Sequence, residues 1–348
     1  MATSRGAEVL RFVDSSGAER TCPIASSIAR SSEFARQRVK HIKNALLLGL
    51  AGDGLIPVAR TGPVAPEAAA NARLYLEAAA VRQERAGASY IDVNVDDIDE
   101  DPSVRSLAIA WLVRLLEPEL GVPLSLDSSS PEVLESGLRA SRGASGRALL
   151  NSASVERLEV LDLAAELGAA VILSAVRGGG AAPGIEERLD CGETLLQAAL
   201  DRGLPASDCH VDLLVLPAGI DCYAGTTFLG ACRAFRAEHR PDVHITGGLS
   251  NISFGLPARR VLNDTFVAMA LDAGVDSGIL DPVAVQLARV QDLDRRSRQF
   301  HLASEVILGL DPYAANYLAA YRAGMLTTEA RGDAVDDRQA LAGGHAAS

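Results

Sequence analysis

The chain has 348 residues, of which 48% are hydrophobic and 22% charged, with a formal net charge of −12 and a sequence pI near 5.0. This composition predicts a large buried core and argues against disorder. The acidic balance argues against a partner that presents a phosphate backbone, so no nucleic acid is expected.

Five cysteines form no CxxC pair, so neither a zinc site nor a disulfide framework is predicted. The N-terminal residues lack the apolar run of a signal peptide, and no uncharged stretch is long enough to span a bilayer. We therefore expect a cytoplasmic protein with reduced thiols, no metal and no membrane partner.

Short apolar runs alternate with longer amphipathic segments along most of the chain. The predicted strands are 45–50, 89–95, 122–127, 147–151, 169–174, 209–216, 243–246 and 275–280. The predicted helices are 66–85, 103–117, 131–140, 155–167, 193–202, 227–238, 257–273 and 282–293. Eight β–α alternations predict a closed (β/α)₈ TIM barrel. A doubly wound open sheet is the rival, but no glycine fingerprint follows the first strand.

The chain ends are predicted to lie outside this barrel. Residues 1–40 form an N-terminal extension, residues 41–328 the barrel with its C-terminal helices, and residues 329–348 a flexible tail rich in Ala, Gly and charge.

Carboxylates and carboxamides stand at or near the ends of five predicted strands. They are Asp92 with Asn94, Asp127, Asn151, Asp212, and Asn251 in the loop after the seventh strand. Each alone is typical of a turn or cap, but in a barrel the carboxyl ends of all strands meet at one mouth. The set contains no His, no Cys and little positive charge, which disfavours nucleophilic catalysis and phosphate binding.

Such a set suits a flat heterocycle that presents several N–H donors, and a pterin is one example. Each buried donor left unpaired costs roughly 1–3 kcal/mol, so acceptors placed at the right points discriminate strongly. The residue types permit a pterin without singling it out.

One longer motif is more specific. The run from Gly248 to Arg259 reads Gly-Leu-Ser-Asn-Ile-Ser-Phe-Gly-Leu-Pro-Ala-Arg, and residues 261–266 continue it with Val-Leu-Asn-Asp-Thr-Phe. It resembles the signature of methyltetrahydrofolate:corrinoid methyltransferases and of the folate module of cobalamin-dependent methionine synthase. Segments 90–94, 124–128, 150–152 and 211–217 are similar to the same pterin-binding family in the same order. The resemblance covers about residues 44–290.

The resemblance implies a pterin-binding barrel of the dihydropteroate synthase type, with tetrahydrofolate or methyltetrahydrofolate as substrate. Asp127, Asn151 and Asp212 would hydrogen-bond the pterin ring. Asp92 and Asn94 would line the pocket floor and orient that set.

The resemblance also implies that Asn251 lies beside N5, the atom that carries the methyl group. Its amide would donate a hydrogen bond that stabilises the transition state more than the ground state. Ser250 and Arg259 would support that loop, with Arg259 near the folate tail or the partner. Asp127 or Asp212, acting through water, or solvent itself would supply the proton.

Two segments depart from the family pattern: the first strand end, residues 48–54, and the glycine-rich residues 175–180. The Asp-x-His-x-x-Gly pattern of a corrinoid-binding domain is missing, so the corrinoid is expected on a partner protein. A homodimer is expected from the resemblance. Two alternatives stay open, a dihydropteroate synthase-like enzyme and a non-catalytic folate-binding subunit of a methyltransferase complex.

Overall fold

A computed structural model describes residues 9–23, 37–57, 61–239 and 242–326. The first described segment is an antiparallel hairpin of β1 (Val9–Val13) and β2 (Glu19–Pro23). Its turn is held by Asp14, whose Oδ1 accepts the backbone N–H groups of Ser16 and Ala18 at 3.0 and 2.9 Å.

The rest of the described chain alternates strands with helices. In chain order the elements are α1 (Gln37–Gly52), α2 (Pro66–Arg85), β3 (Ile91–Asn94), α3 (Pro102–Leu116), β4 (Leu124–Asp127), α4 (Pro131–Ala140), β5 (Leu149–Ala153), α5 (Glu159–Leu167), β6 (Ala170–Ser174), β7 (Val176–Arg177), β8 (Gly180–Ala181), α6 (Ile185–Asp201), β9 (Cys209–Asp212), α7 (Ala224–Glu238), β10 (His244–Thr246), α8 (Arg259–Asp272), α9 (Leu287–Gln291), α10 (Arg298–Ile307) and α11 (Ala315–Arg322). The helices predicted at 66–85 and 131–140 have these bounds in the structure.

Six parallel strands form the central sheet in the order β3–β4–β5–β6–β9–β10. Helices follow these strands and cover the sheet, so strands such as β6 are buried along their whole length. The apolar core lies between the outer face of the sheet and the helices, and a smaller apolar layer fills the inner face.

The segment predicted as the eighth strand runs beside β10 without forming a regular ladder. Ile279 donates its backbone N–H to Gly247 O at 2.9 Å, and Leu249 donates to Ile279 O at 3.1 Å. The N–H groups of Asp276 and Ser277 both point to Ile245 O. This segment therefore extends the sheet by one irregular strand.

The prediction of a first strand at residues 45–50 is wrong, because these residues lie inside α1. A short apolar run does not distinguish a buried strand from a buried helix, and its Ala and Leu residues favour helix. Gly49 lets α1 pack closely on α3, since a Cβ there would stand 2.5 Å from the Trp111 ring. The described sheet consequently has six regular strands rather than eight.

The domain limits stay a prediction. The limit at residue 40 falls within α1, and the tail at 329–348 lies outside the described residues. In the described part of the chain, no helix combines the length and the apolar character needed to cross a bilayer. All five cysteines are free thiols, and four of them are buried.

Candidate functional site

Three of the polar strand ends stand side by side on neighbouring strands. The register of the sheet pairs Asn94 with Asp127 and Asp127 with Asn151. Neighbouring strands lie about 4.8 Å apart, so these side chains form one row on the inner face. Asn94 donates from Nδ2 to Asp127 Oδ2 at 2.9 Å.

Asp92 lies one layer below this row on β3. Its Oδ1 accepts the Ser125 hydroxyl at 2.7 Å, and its carboxylate also bonds the Asn151 side chain. Burial, and then the neighbouring Asp127 charge, raise the pKa of Asp92. Burial also raises the pKa of Asp127, against the hydrogen bond from Asn94 that lowers it.

Asp212 is the last residue of β9, which lies between β6 and β10 in the sheet. The register pairs it with Ser174 on β6 and with Thr246 on β10. Its Oδ1 accepts the backbone N–H of Leu214 at 2.8 Å. Burial raises the pKa of Asp212 to about 6, although that hydrogen bond and the positive charge of Arg188 lower it.

The strand-end residues keep contact with solvent. Solvent reaches Asp92, Asn94 and Asn251 through the open strand ends, although protein atoms surround the Asp92 carboxyl closely enough to desolvate it. Asp127, Asn151 and Asp212 are half-buried. Beneath them the inner face is closed by an apolar layer made of Leu149, Ala170 and Ile172, packed against Tyr90 and Ile279. The polar groups therefore form an accessible layer above a closed floor, which suits the binding of a flat ligand.

Two histidines belong to the lower part of the sheet and not to the strand ends. The rings of His210 and His244 stack with centroids 4.5 Å apart. Burial, and then the neighbouring His244, lower the pKa of His210 to about 4, so this imidazole is neutral at physiological pH.

Asn251 lies on a short 3₁₀ turn (Leu249–Ser253) that follows β10. The guanidinium of Arg259 braces this turn, donating from Nη2 to Ser250 O at 2.8 Å and from Nε to Ser253 Oγ at 2.9 Å. Ser250 thus contributes its carbonyl oxygen to the turn. The Asn251 amide makes no hydrogen bond to another described residue, which leaves its donor and acceptor available.

The Asn251 turn is joined to the exit of β9, which carries Asp212. The backbone N–H of Ala218, six residues after Asp212, donates to Ile252 O at 3.0 Å. Gly248 stands close to the amide, because a Cβ there would lie 2.7 Å from Asn251 Nδ2. The structure therefore brings Asn251 to the same end of the sheet as the carboxylates.

Sequence reasoning missed two residues that hold the rim of this mouth. Asp96 accepts the hydroxyls of Ser128 and Ser129 at 2.6 and 2.8 Å, and the backbone N–H of Ser129 at 2.8 Å. Burial by itself raises the pKa of Asp96, but these hydrogen bonds together bring that pKa below its usual value. Arg157 donates from Nη1 to the carbonyls of Ser128 and Ser129. The sequence could have indicated Asp96, because it stands two residues after Asn94, just beyond the end of β3.

The two segments that depart from the family pattern have structural roles. Gly178 and Gly179 take positive φ angles of 63° and 77° in the tight β7–β8 hairpin, and Gly178 N donates to Glu156 Oε1 at 2.7 Å. At the end of α1, Asp53 accepts the Trp111 indole N–H at 2.7 Å and pairs with Arg73. Neither segment contributes a group to the strand-end cluster.

Metal-type ligands gather elsewhere, on the outer helices. Among the described residues, Glu193, Glu238 and His239 are the one group whose side chains approach closely enough to share an ion. His239 Nε2 lies 3.1 Å from Glu193 Oε1, beside a cavity of about 340 Å³. The strand ends themselves offer carboxylates and amides suited to an organic ligand with N–H donors.

Comparison with known proteins identifies the family to which this chain belongs. A family model described as "Pterin binding enzyme" matches residues 71–281, which is more than half of the chain. The chain therefore belongs to the pterin-binding enzyme family, and the match includes every strand-end residue named above.

Two kinds of curated relatives are similar to the chain. The methylcorrinoid:tetrahydrofolate methyltransferase of Eubacterium limosum is 27% identical over 290 residues, covering 81% of this chain and 97% of the relative. The methionine synthases of Mycobacterium leprae and Mycobacterium tuberculosis are 30% and 32% identical over 213 residues, covering 57% of this chain. The chain spans only 17% of those longer proteins.

Solved structures confirm the fold class. Dihydropteroate synthases of Xanthomonas albilineans and Stenotrophomonas maltophilia align with TM-scores of 0.51 and 0.52 at 18% identity. Each alignment covers 64% of this chain, and 84% and 86% of the two enzymes. The prediction of a pterin-binding α/β barrel is confirmed, with the correction to its first strand given above.

Proposed function

We propose that the chain is a methyltransferase that moves a methyl group between N5 of tetrahydrofolate and the cobalt of a corrinoid carried by a separate protein. The observation that supports this most is the accessible, unbonded amide of Asn251, held at the end of the sheet where the carboxylates converge. The likeness to the methylcorrinoid:tetrahydrofolate methyltransferase over 97% of that relative's length supports the same reaction class.

The carboxylate row would bind the pterin through its N–H edge. A pterin presents an amino group and a ring N–H on one side, and the carboxylates of Asp127 and Asp212 can each accept a hydrogen bond from such donors. Asn151 offers both a donor and an acceptor for the mixed part of the ring. Charge-assisted hydrogen bonds of this kind are the stronger class, so the carboxylates would dominate affinity.

Asn251 would act at the reacting nitrogen. A tertiary amine leaves poorly, so N5 must gain positive character before the methyl group can depart. As the bond from N5 to the methyl group breaks, its electron pair returns to N5, so a hydrogen bond donated to N5 by the Asn251 amide would strengthen and would stabilise the transition state more than the ground state. Arg259 and Gly248 would hold the amide at the required position.

The raised pKa values give the site carboxyls a second role. A carboxyl with a pKa near 6, as at Asp212, exchanges protons at neutral pH more readily than an ordinary aspartate. Solvent, or Asp127 or Asp212 acting through water, would supply the proton to N5. The corrinoid, when bound on its partner, would supply the cobalt that accepts or donates the methyl group.

The relative from Eubacterium limosum is named for transfer from a methylcorrinoid to tetrahydrofolate, and the assay below covers both directions. A corrinoid protein as partner, a homodimer and a cytoplasmic location belong to this proposal.

A methyl-transfer assay tests the function. The full chain is mixed with methyltetrahydrofolate and Co(I) cobalamin, or with methylcobalamin and tetrahydrofolate, and the cobalamin spectrum is followed. Catalysed transfer in either direction supports the proposal. Folate binding without transfer would indicate a non-catalytic subunit. In a separate assay with a dihydropterin diphosphate and p-aminobenzoate, sulfonamide-sensitive pteroate formation would indicate a synthase.

A further inference from the structure

Arg188 of α6 is a buried arginine, with 1% of its surface exposed. Its hydrogen bonds all go to backbone carbonyls: Nε donates to Ala182 O at 2.9 Å, and Nη1 donates to Leu213 O at 2.9 Å and to Leu214 O at 2.6 Å. A buried guanidinium is costly unless its donors are satisfied, so this placement requires the carbonyls to stand where they do.

The two carbonyls bound by Nη1 belong to the residues directly after Asp212. Leu214 has a positive φ of 64°, a conformation that residues other than glycine rarely adopt. Its N–H donates to Asp212 Oδ1 at 2.8 Å. Arg188 therefore fixes the backbone turn whose amide, in turn, orients the Asp212 carboxylate.

Resting on the proposed function, we infer that Arg188 is a positioning residue that holds the Asp212 carboxylate oriented and charged for the N–H donors of the pterin. It acts through the turn at residues 213–214 and through its own positive charge. It does not touch the ligand, because its donors face Ala182 and the turn.

Among the residues that the structure describes, Arg188 is the charged group that acts on Asp212. The neighbouring strands offer Ser174 from β6 and Thr246 from β10, which are neutral. From α7 comes Cys232, and burial raises the pKa of this thiol far above neutral, so it stays protonated. The Arg188 charge lowers the pKa of Asp212, against burial that raises it. The other carboxylate near Arg188 is Asp221, from the loop before α7.

Two substitutions separate the hydrogen bonds of the Arg188 guanidinium from its positive charge. Arg188→Lys keeps a positive charge but cannot bond both carbonyls of the turn together with Ala182, whereas Arg188→Met removes charge and donors. Arg236→Met is the matched control, because Arg236 also braces backbone carbonyls, donating to Val243 O at 2.8 Å and Gly274 O at 3.1 Å. Those carbonyls lie at the opposite ends of the strands.

The first readout needs no folate. A ¹³C-carboxyl NMR titration of the full chain follows Asp212, identified by its loss in Asp212→Asn. In Arg188→Met the pKa of Asp212 should rise by about half a unit or more, since an opposite charge nearby favours the ionised form. In Arg188→Lys and Arg236→Met it should stay near the wild-type value. If the pKa of Asp212 is unchanged in folded Arg188→Met, the inference that the Arg188 charge keeps Asp212 ionised would be overturned.

The second readout is methyltetrahydrofolate affinity measured by calorimetry. Arg188→Lys should weaken binding about tenfold, and Arg236→Met should leave it unchanged. In the Asp212→Asn background the Arg188→Lys effect should largely vanish, because both changes act through one carboxylate. Additive losses, or wild-type affinity in Arg188→Lys, would contradict the inference. If wild-type protein binds no folate, the proposed function fails while the titration still decides the role of Arg188.

Discussion

Asn94 and Asp127 are direct lateral partners on β3 and β4, and the Asn94 amide donates from Nδ2 to Asp127 Oδ2 at 2.9 Å. The other end of the amide is also occupied, since Asn94 Oδ1 accepts the backbone N–H of Asp96 at 2.8 Å. The amide is thereby fixed in one orientation. One oxygen of Asp127 is bonded, and Oδ1 makes no hydrogen bond to a described residue, so it is available to a ligand.

Asn94→Ala should therefore weaken folate binding more at pH 6 than at pH 8. Without the amide donor the pKa of Asp127, already raised by burial, rises further, and the protonated form loses an acceptor for the ligand. We expect about a tenfold rise in Kd at pH 6, in line with one hydrogen bond to a charged group. Calorimetry at both pH values measures it.

The control for this variant is Asn71→Ala on α2. Asn71 also donates from Nδ2, to Thr21 O at 2.8 Å, but it lies away from the strand ends. It should bind folate like wild type at both pH values. Equal losses at pH 6 and pH 8 in Asn94→Ala would show that the amide acts by shape and not through Asp127.

Removing either main acceptor should weaken binding without unfolding the barrel. Asp127→Ala and Asp212→Ala each leave a ligand N–H unpaired, and we expect Kd to rise roughly 10- to 100-fold. Asp201→Ala, a change at an exposed position at the end of α6, is the control. Wild-type affinity in both site variants would discredit the pocket.

Asn251→Ala should separate chemistry from binding. The amide is assigned to N5 and not to the pterin edge, so turnover should fall about 100-fold or more while folate affinity changes little. Asn251→Asp keeps the shape but removes the N–H donor, and it should be equally slow. Unchanged turnover in Asn251→Ala would remove this residue from its role.

Asp212→Asn should stabilise the ligand-free protein at pH 7.5. The pKa of Asp212 is raised to about 6 from 3.8, so between these values the folded state binds more protons than the unfolded state. Stability therefore falls as pH rises through this window, and a neutral amide avoids that loss. We expect Tm to rise by roughly 1–3 °C at pH 7.5 and to be unchanged at pH 4.

Asp14→Asn is the opposite control for this experiment. Hydrogen bonds from Ser16 and then Arg20 hold the pKa of Asp14 well below its usual range. Its ionised form therefore contributes stability at neutral pH, and Asp14→Asn should lower Tm at pH 7.5. A fall in Tm for Asp212→Asn at that pH would show that the ionised Asp212 carboxylate stabilises the fold. It would contradict the expectation that this carboxylate lowers the stability of the ligand-free protein.

The placement of most residues of the candidate site could be predicted from the sequence, because it depends on the ends of buried strands. Asp127 and Asn151 each follow or close an apolar run, and a parallel sheet brings such ends together irrespective of the helices around it. The Asn251 turn was predicted from the longer motif at residues 248–259. None of these placements required knowledge of a distant contact.

What the sequence did not predict has two physical causes. The run at 45–50 is buried among α2 and α3, and burial erases the period that would distinguish helix from strand. Arg188 and Arg157 serve backbone carbonyls that lie 25 to 29 residues away. Such bonds leave no local pattern, because any residue supplies a carbonyl.

In the proposed complex, separate strands deliver Asp127, Asn151 and Asp212 to one opening that holds a reduced folate with its methylated nitrogen facing outward. A crystal structure of the protein with methyltetrahydrofolate tests it most directly. We expect the pterin ring to be hydrogen-bonded to these three side chains, with N5 beside the Asn251 amide and its methyl group open to solvent. A pterin bound elsewhere, or one whose N5 points into the barrel floor, would contradict it.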